Sequence, residues 1–210
     1  MINSKVLNAA MKGFERSGNV SRDVAFFLRL HNQSATIRHS EKVATEARQL
    51  AVCFGEDEES AMTAAWLHDI SAIYPNDKRI IVAKALGISP LPEEERFPLI
   101  IHQRISEVMA QKIFGITNTA ILSAIGCHTT LKKDASKLDK VLFVADKIYW
   151  DQASNPPYLD RILSALKISL DMAAVSYLDY MWAQKEKLAV IHPWLREAYM
   201  QLSNENKYES

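Results

Sequence analysis

This chain of 210 residues has only two cysteines and no long apolar run. The sequence therefore gives little reason to expect disulfides, thiolate metal sites or membrane spans. The cysteines Cys53 and Cys127 form no C-x-x-C pair, and we predict both to be small core side chains in a reducing compartment. No apolar run approaches the roughly 18 residues of a membrane-spanning helix. Residues 1–13 also lack the continuous apolar stretch of a secretory signal. We therefore expect a soluble cytoplasmic protein that has no membrane partner.

An excess of one charge is also missing, since 25 basic and 25 acidic residues cancel. Proteins that coat nucleic acids or membrane surfaces usually carry a basic excess. We therefore expect no nucleic-acid partner, although the overall charge balance does not exclude a local basic patch. The sequence does not decide between a monomer and a homodimer.

Apolar residues make up 48% of the chain and recur at three- and four-residue steps, whereas alternating β-branched runs are scarce. This periodicity predicts an all-α fold, a helical bundle in one globular domain with additional N- and C-terminal helices. Helices are predicted at 40–51, 58–70, 77–86, 103–114, 119–128, 138–145 and 158–187, and in a last short segment from Pro193. Asn118 is predicted as an N-cap and 155–157 as a turn. Residues 1–35 are expected to form a helical extension packed on the core, and 203–210 a frayed tail.

A histidine–aspartate pair, His68-Asp69, follows the apolar run 64–67. Burial of such groups is costly without partners, and a metal ion is the usual compensation. Further imidazoles and carboxylates fall on helix faces assigned to the core, because residues at i and i+4 share a face. The predicted metal ligands are His39, His68, Asp69, His102, His128 and Asp146.

Each of these residues has an ordinary structural explanation when it is taken alone. A single histidine on an apolar face usually bonds a backbone carbonyl, and a single aspartate near a helix end is usually a cap. For His102 or Asp146 alone we would prefer these explanations. Here several helices each turn one such group inward, and every buried polar group needs a partner. This convergence favours a shared metal, which would satisfy all of these groups at once. His31 is assigned to a helix end or loop, and His192 to the turn before Pro193.

The ligand types narrow the choice of ion. Imidazole and carboxylate without thiolate favour iron, manganese, zinc, cobalt or nickel in a reactive centre over a structural zinc. A carboxylate flanked by histidines suits two ions about 3.5–4 Å apart, which lower the pKa of a bridging water and clamp phosphoryl oxygens. We expect two divalent or mixed-valence metal ions.

Four sequence segments resemble the HD superfamily of metal-dependent phosphohydrolases, and within it the YqeK family. They are AWLHDI at 65–70, IGCHTT at 125–130, LDKVLFVAD at 138–146 and IHPW at 191–194. His39-Ser40, with the apolar residues that follow, is similar to the opening of that family. The resemblance covers roughly residues 36 to 202, which we assign to an HD phosphohydrolase domain. The H-T-T and L-D-K-(apolar)-A-D stretches are far more specific than the dyad.

The resemblance implies an activity and roles for the site residues. Members hydrolyse diadenosine tetraphosphate symmetrically to two ADP at a di-iron-type centre, so iron is the implied metal and a nucleotide the implied substrate. Carried over by position, one ion is held by His39, His68, Asp69 and Asp146, and the second by His102 and His128 with Asp69 bridging. A bridging water attacks a central phosphorus in line, and the ions stabilise charge on phosphoryl oxygens. His68 and Asp69 are then the catalytic pair.

Four residues near these motifs are candidates for phosphate contacts, namely Thr129, Lys132, Lys133 and Lys147. For each lysine, a solvated basic surface is at least as good an explanation.

Three places depart from the family pattern and leave the substrate open. The lysine of H-D-x-x-K is Ala72 here, the glycine after H-T-T is Leu131, and the segment from Asp146 to Gln152 lacks a glutamate and an arginine. A different nucleotide or phosphoester, such as a nucleoside monophosphate or a dNTP, is therefore an alternative substrate. A weakly active module that binds metal and nucleotide is another alternative. A cyclic dinucleotide is disfavoured because the chain has no H-H-E or G-Y-P segment.

Overall fold

The computed structural model describes residues 4–149 and 156–208, and it contains helices and no strand in these two ranges, which confirms the all-α prediction. The helices are α1 (Ser4–Ala10), α2 (Val20–Leu30), α3 (Ser34–Phe54), α4 (Glu58–Leu67), α5 (Asn76–Ala85), α6 (Pro92–Arg96), α7 (His102–Lys112), α8 (Thr119–Cys127), α9 (Lys137–Ile148), α10 (Leu159–Leu166), α11 (Leu170–Ala183) and α12 (Pro193–Tyr208). Short 3-10 helices, Ile70–Ile73 and Lys185–Lys187, follow α4 and α11.

The centre of the bundle is built from α3, α4, α8 and α9. Helix α3 packs along α4 and α9, and α8 packs against α4, α7 and α9, while α11 covers α9 from the other side. The facing sides are apolar and fully buried, as at Val43, Ala65, Ile125 and Leu142. Burial of such surface stabilises the fold by about 25 cal/mol per Å², and it fixes the four helices that carry most of the candidate ligands.

Local sequence determines where these helices begin. Asp57, Asn118 and Ser136 each accept a hydrogen bond from a backbone N–H in the first turn of α4, α8 and α9. Such caps stabilise a helix by about 1 kcal/mol, and the one predicted at Asn118 is confirmed. The resulting boundaries leave His68 and His128 as the residues that directly follow α4 and α8.

The segment before α3 packs on the bundle through aromatic side chains. Phe27 of α2 is fully buried, and its ring centroid lies 5.2 Å from that of Phe14 and 5.5 Å from that of Phe114. His31 directly follows α2, and its Nε2 lies 2.9 Å from the carbonyl oxygen of Ala10. The assignment of His31 to a helix end is therefore confirmed.

The C-terminal part differs from the sequence prediction. The single helix expected at 158–187 is two helices, because Ser169 is extended and its hydroxyl accepts a hydrogen bond from the N–H of Met172 as the N-cap of α11. The apolar spacing continues across this break, so periodicity could not detect it. The last helix is also longer than expected and reaches Tyr208, beyond the predicted start of the tail at 203.

Three smaller points complete the comparison with the sequence. Cys127 is buried but Cys53 is exposed, so the prediction of a core position for Cys53 is wrong, because it lies off the buried stripe of Ala47, Leu50 and Ala51 on α3. The helix predicted at 58–70 ends at residue 67, before the first 3-10 helix. Position 155 of the predicted turn, and 150–152 of the segment after α9, lie outside the described residues.

Across the described ranges, the structure has no helix that is both long and apolar enough to span a membrane.

Candidate metal centre

Six side chains from different parts of the bundle meet beside a cavity. His39 comes from α3, His68 and Asp69 directly follow α4, His102 is the first residue of α7, His128 directly follows α8, and Asp146 comes from α9. These are the six residues that the sequence predicts as ligands. His68 and His128 lie at helix C-termini, where the last turn leaves carbonyl groups free to orient a neighbouring side chain.

One half of the cluster is formed by His39, His68 and Asp146. The Nε2 atom of His39 lies 3.2 Å from Nε2 of His68 and 3.1 Å from Oδ1 of Asp146. The Nε2 atom of His68 lies 3.4 Å from the same carboxylate oxygen. Oδ2 of Asp69 lies beside this half, 3.5 Å from Nε2 of His68 and 3.9 Å from Nε2 of His39.

The other half is formed by His102 and His128 around the second oxygen of Asp69. Oδ1 of Asp69 lies 3.1 Å from Nε2 of His102 and 3.6 Å from Nε2 of His128, and the two ring nitrogens are 2.9 Å apart. Metal bonds of roughly 2.0–2.2 Å to nitrogen or oxygen place neighbouring ligand atoms roughly 3 Å apart. Asp69 thus turns one oxygen to each set of imidazoles, as a bridging carboxylate would.

Backbone carbonyls determine which ring nitrogens carry the proton. Nδ1 of His68, His102 and His128 lies 2.6, 2.6 and 2.8 Å from the carbonyl oxygen three residues earlier in the chain. Each Nδ1 is therefore the donor, and Nε2 of a neutral ring is an acceptor. The Nε2 atoms of His102 and His128 then face each other lone pair to lone pair. A cation held between them would turn this repulsive contact into a favourable one.

The charges in the cluster also favour a cation. Burial alone would lower the pKa of His68, but the carboxylates of Asp69 and Asp146 raise it to about 9. Burial would raise the pKa of both carboxyls, yet the imidazoles around Asp69, and Lys147 with the imidazoles around Asp146, hold these pKa values well below their usual range. Burial lowers the pKa of His128 to about 4, so its ring is neutral. The centre therefore combines ionised carboxylates with a neutral His128, and the raised pKa of His68 shows that these carboxylates favour a positive charge beside them.

The residues fit a divalent metal of the first transition series. Two triplets each bring three ligand atoms within 4.8 Å of one another, namely His39, His68 and Asp146, and His68, Asp69 and His128. The donor set of four imidazoles and two carboxylates, without thiolate, suits iron, manganese, cobalt, nickel or zinc better than calcium or magnesium.

A cavity of about 550 Å³ opens beside the centre. Asp69, His102 and His128 form part of its wall, and Tyr149 and Tyr177 form another part. A space of this size and mixed polarity is typical of a small-molecule site.

Two of the four predicted phosphate contacts lie at this cavity. The hydroxyl of Thr129 lies 3.2 Å from Nε2 of His102. Lys147 donates hydrogen bonds to Oδ2 of Asp146 at 2.6 Å and to the carbonyl of His128 at 3.1 Å. Burial alone would lower the pKa of Lys147, but Asp146 outweighs this effect and raises it, so the ammonium group remains charged.

The other two predicted contacts do not reach the cavity. Lys132 donates to the hydroxyl of Ser123, and its Nζ lies 3.6 Å from the buried carboxylate of Asp139. Lys133 is exposed and is not part of the cavity wall. In both cases the ordinary structural or surface explanation describes the position better than a phosphate contact does.

Sequence reasoning missed three residues that the structure places at the site. Gln103 is fully buried, and its Oε1 accepts hydrogen bonds from the backbone N–H groups of Thr129 and Thr130 at 3.0 and 3.3 Å. His192 and Arg79 line the cavity. Arg79 and Gln103 look like ordinary surface residues of amphipathic helices in the sequence, so their signal appears only once the buried face of each helix is known.

Comparisons with known proteins identify relatives of this chain. The sequence profile described as HD domain matches residues 36–151. A protein of Lactococcus lactis subsp. cremoris, described as an uncharacterised protein in the pepC 5' region, is 46% identical over 145 residues, which are 69% of this chain and 73% of that protein. The symmetrical bis(5'-nucleosyl)-tetraphosphatase of Bacillus subtilis (strain 168) is 29% identical over 139 residues, 65% of this chain and 72% of that protein.

One solved structure extends the likeness to the whole fold. It is described as a predicted HD superfamily hydrolase involved in NAD metabolism from Clostridium acetobutylicum. The two chains superpose with a TM-score of 0.79 at 25% identity, over 88% of this chain and 97% of the other.

Proposed function

We propose, from the premise that this chain belongs to the HD domain family and is a hydrolase, that it cleaves diadenosine tetraphosphate symmetrically to two ADP at a centre of two metal ions. The position of Asp69 carries the two-metal part of this proposal, because its two oxygens face different sets of imidazoles. The named activity of the Bacillus subtilis relative supports the choice of substrate. The size of the cavity and its tyrosines, which offer faces for base stacking, are compatible with a nucleotide.

The distances support the ligand assignment that the family resemblance implies. One ion would be held by His39, His68, Asp69 and Asp146, and the other by Asp69, His102 and His128. When bound, two such ions supply a water of lowered pKa as the nucleophile and Lewis-acid stabilisation of phosphoryl oxygens. We propose iron as the metal, with manganese, cobalt, nickel and zinc as the other ions that the donors accept.

The surrounding residues orient this chemistry. The carbonyls of Ala65, Leu99 and Ile125 hold three imidazoles with Nε2 turned to the centre. Lys147 places a buried positive charge on the cavity wall beside Asp146, and the hydroxyl of Thr129 lies next to His102. Both groups are suited to bind phosphoryl oxygens, as charged and neutral donors.

The activity test offers diadenosine tetraphosphate to protein loaded with iron or manganese and separates the products by chromatography. ADP as the sole product is expected. AMP with ATP would reject symmetrical cleavage, and turnover of other nucleotides alone would establish a different substrate for the same centre.

The site test replaces His68 with alanine and Asp69 with asparagine. Both variants should lose bound metal, measured by elemental analysis, and should lose turnover, because each removes a ligand that no neighbouring side chain can replace. His31→Gln is the matched control, since this histidine bonds the carbonyl of Ala10 outside the cluster. Full activity in a metal-free His68→Ala variant would refute the assignment.

A further inference from the structure

Arg79 is a buried cation in the wall of the cavity. It lies in α5 and is 8% exposed, and it shares the cavity wall with Asp69, Ala72 and His102. Arginine is rarely buried without a charged partner, so its surroundings indicate what the guanidinium is for.

The hydrogen bonds of Arg79 go to neutral groups. Its Nε donates to the carbonyl of Tyr74 and one terminal nitrogen donates to the carbonyl of Leu99, both at 3.2 Å. Within the part of the chain that the structure describes, no carboxylate lies within ion-pair distance of it. The negative charge that acts on it most is Asp69, and metal ligation by Asp69 would neutralise that charge. A buried guanidinium with no other counter-charge favours an anion.

The position of Arg79 is fixed relative to the metal centre by one shared carbonyl. The carbonyl oxygen of Leu99 accepts a hydrogen bond from Arg79 and, at 2.6 Å, one from Nδ1 of His102. Movement of the guanidinium is thus coupled to the orientation of a ligand imidazole. Ala72, which also lines the cavity, presents only a methyl group, whereas Arg79 brings a positive charge to the wall.

We propose that Arg79 binds a phosphoryl oxygen of the substrate beside the half of the centre formed by His102 and His128. The planar guanidinium has five N–H donors, and the carbonyls of Tyr74 and Leu99 occupy two of them, which leaves donors for a phosphate. The inference rests on the proposed function only in that the substrate is a phosphate compound. It assigns to Arg79 a role in recognition and not in metal binding.

The test measures inhibition and binding by ADP and by inorganic phosphate on metal-loaded wild type, Arg79→Gln and Arg79→Lys. Loss of a charged hydrogen bond of about 1.5–3 kcal/mol predicts weaker binding of both anions by about 10- to 100-fold in Arg79→Gln, with unchanged metal content. Arg79→Lys keeps the charge but lacks the planar arrangement of guanidinium donors. Its anion affinity should therefore lie between those of wild type and Arg79→Gln. Arg48→Gln is the control, because Arg48 is an exposed partner of Glu58 outside this cavity.

A purely structural role gives a different result. Arg79→Gln would then lower the metal content or the melting temperature while anion affinity stays within twofold of wild type, which would overturn the proposal. Absence of phosphate and ADP binding in the wild type would overturn it as well. If Arg79→Gln does not fold, equal anion affinity of Arg79→Lys and wild type overturns the proposal, and weaker affinity supports it. Anion binding that depends on Arg79 without turnover of diadenosine tetraphosphate would reject the proposed substrate alone.

Discussion

Leu131 combines two features that rarely occur together in one residue. Its φ of 56° is left-handed, and its side chain is fully buried. A left-handed backbone costs a residue with a Cβ atom roughly 1–2 kcal/mol. The N–H of Leu131 donates to the carbonyl of Cys127 at 2.7 Å, and this tight turn presents the preceding threonines to Gln103. The resemblance noted in the sequence places a glycine here, which explains how the turn tolerates this φ in that family.

Leu131→Gly should destabilise the protein by about 1–4 kcal/mol. Relief of backbone strain returns about 1 kcal/mol, but removal of a buried leucine side chain costs about 2–5 kcal/mol. The measurement is the free energy of unfolding in urea. Asn32→Gly is the control, because Asn32 has a φ of 60° but is exposed, and it should change stability by less than about 1 kcal/mol. A more stable Leu131→Gly variant would show that strain outweighs packing.

The side chains that meet at the candidate site could be identified in the sequence where their signal was chemical. A histidine or aspartate in line with apolar positions is unusual enough to be detected, and all six candidates meet in the structure. The division of Asp69 between two sets of imidazoles was implied only by the family resemblance, because it depends on atomic distances. The proposed role of Arg79 left no such signal, since an arginine on an amphipathic helix usually faces solvent.

Among the elements, the short helix α6 places a buried carboxylate beside the segment that precedes α12. Glu94 is fully buried, and its Oε2 accepts hydrogen bonds from the N–H of Leu91 at 2.8 Å and from Arg104 at 2.7 Å. Its other oxygen lies 3.5 Å from Nε2 of His192. The Arg104 guanidinium in turn lies 5.8 Å from the ring centroid of Trp194. The turn residue His192 thus lies against a buried carboxylate from a distant element.

The stability that Glu94 provides should depend on pH. Burial alone would raise its pKa, but His192, the N–H of Leu91 and Arg104 outweigh it and lower the pKa below the usual 4.5. Because the folded pKa is the lower one, the contribution is fully present above the unfolded pKa and is lost as pH falls through the folded pKa. Glu94→Gln should cost about 1–3 kcal/mol at pH 7 and progressively less below about pH 4.

Unfolding free energies of wild type and Glu94→Gln at a series of pH values test this expectation. Glu95→Gln is the matched control on the same helix, because Glu95 is exposed and pairs with Lys84, and such pairs contribute less than about 1 kcal/mol. A difference between Glu94→Gln and wild type that stays constant from pH 7 to pH 3 would contradict the linkage.

The elements themselves could be predicted from apolar periodicity and from caps such as Asn118. The break at Ser169 was missed because the apolar stripe of α10 continues into α11, whereas the structure ends α10 at Leu166 and starts a new cap three residues later. Periodicity reports which face is buried and not whether the backbone is continuous. The proximity of His192 to Glu94 could not be predicted either, because these residues belong to elements that are far apart in sequence.

For the whole molecule, the candidate metal centre joins five separate parts of the chain. Removal of the ions should therefore lower the stability of the entire fold and not only of one helix. A ligand at 100 to 1,000 times its dissociation constant contributes roughly 2.7–4.1 kcal/mol, which for a chain of this size corresponds to about 5–15 °C in melting temperature.

Thermal unfolding with and without a chelator, at fixed protein concentration, measures this shift. The chelator should have no effect on Asp69→Asn, which is expected to bind no metal in either condition. An equal shift in this variant would assign the effect to the chelator itself, and no shift in wild type would show that the ions do not support the fold.

The contact between His39 and Asp146 joins positions 107 residues apart in the chain, at 3.1 Å between Nε2 and Oδ1. Docking of α9 onto α3 must therefore precede assembly of that half of the centre. During refolding from denaturant, uptake of an ion at this half would be a late event, because the long chain segment between α3 and α9 must first bring the two helices together. Metal binding at this half would therefore report that the bundle is completely assembled. It would distinguish native molecules from compact intermediates that already have their full helix content.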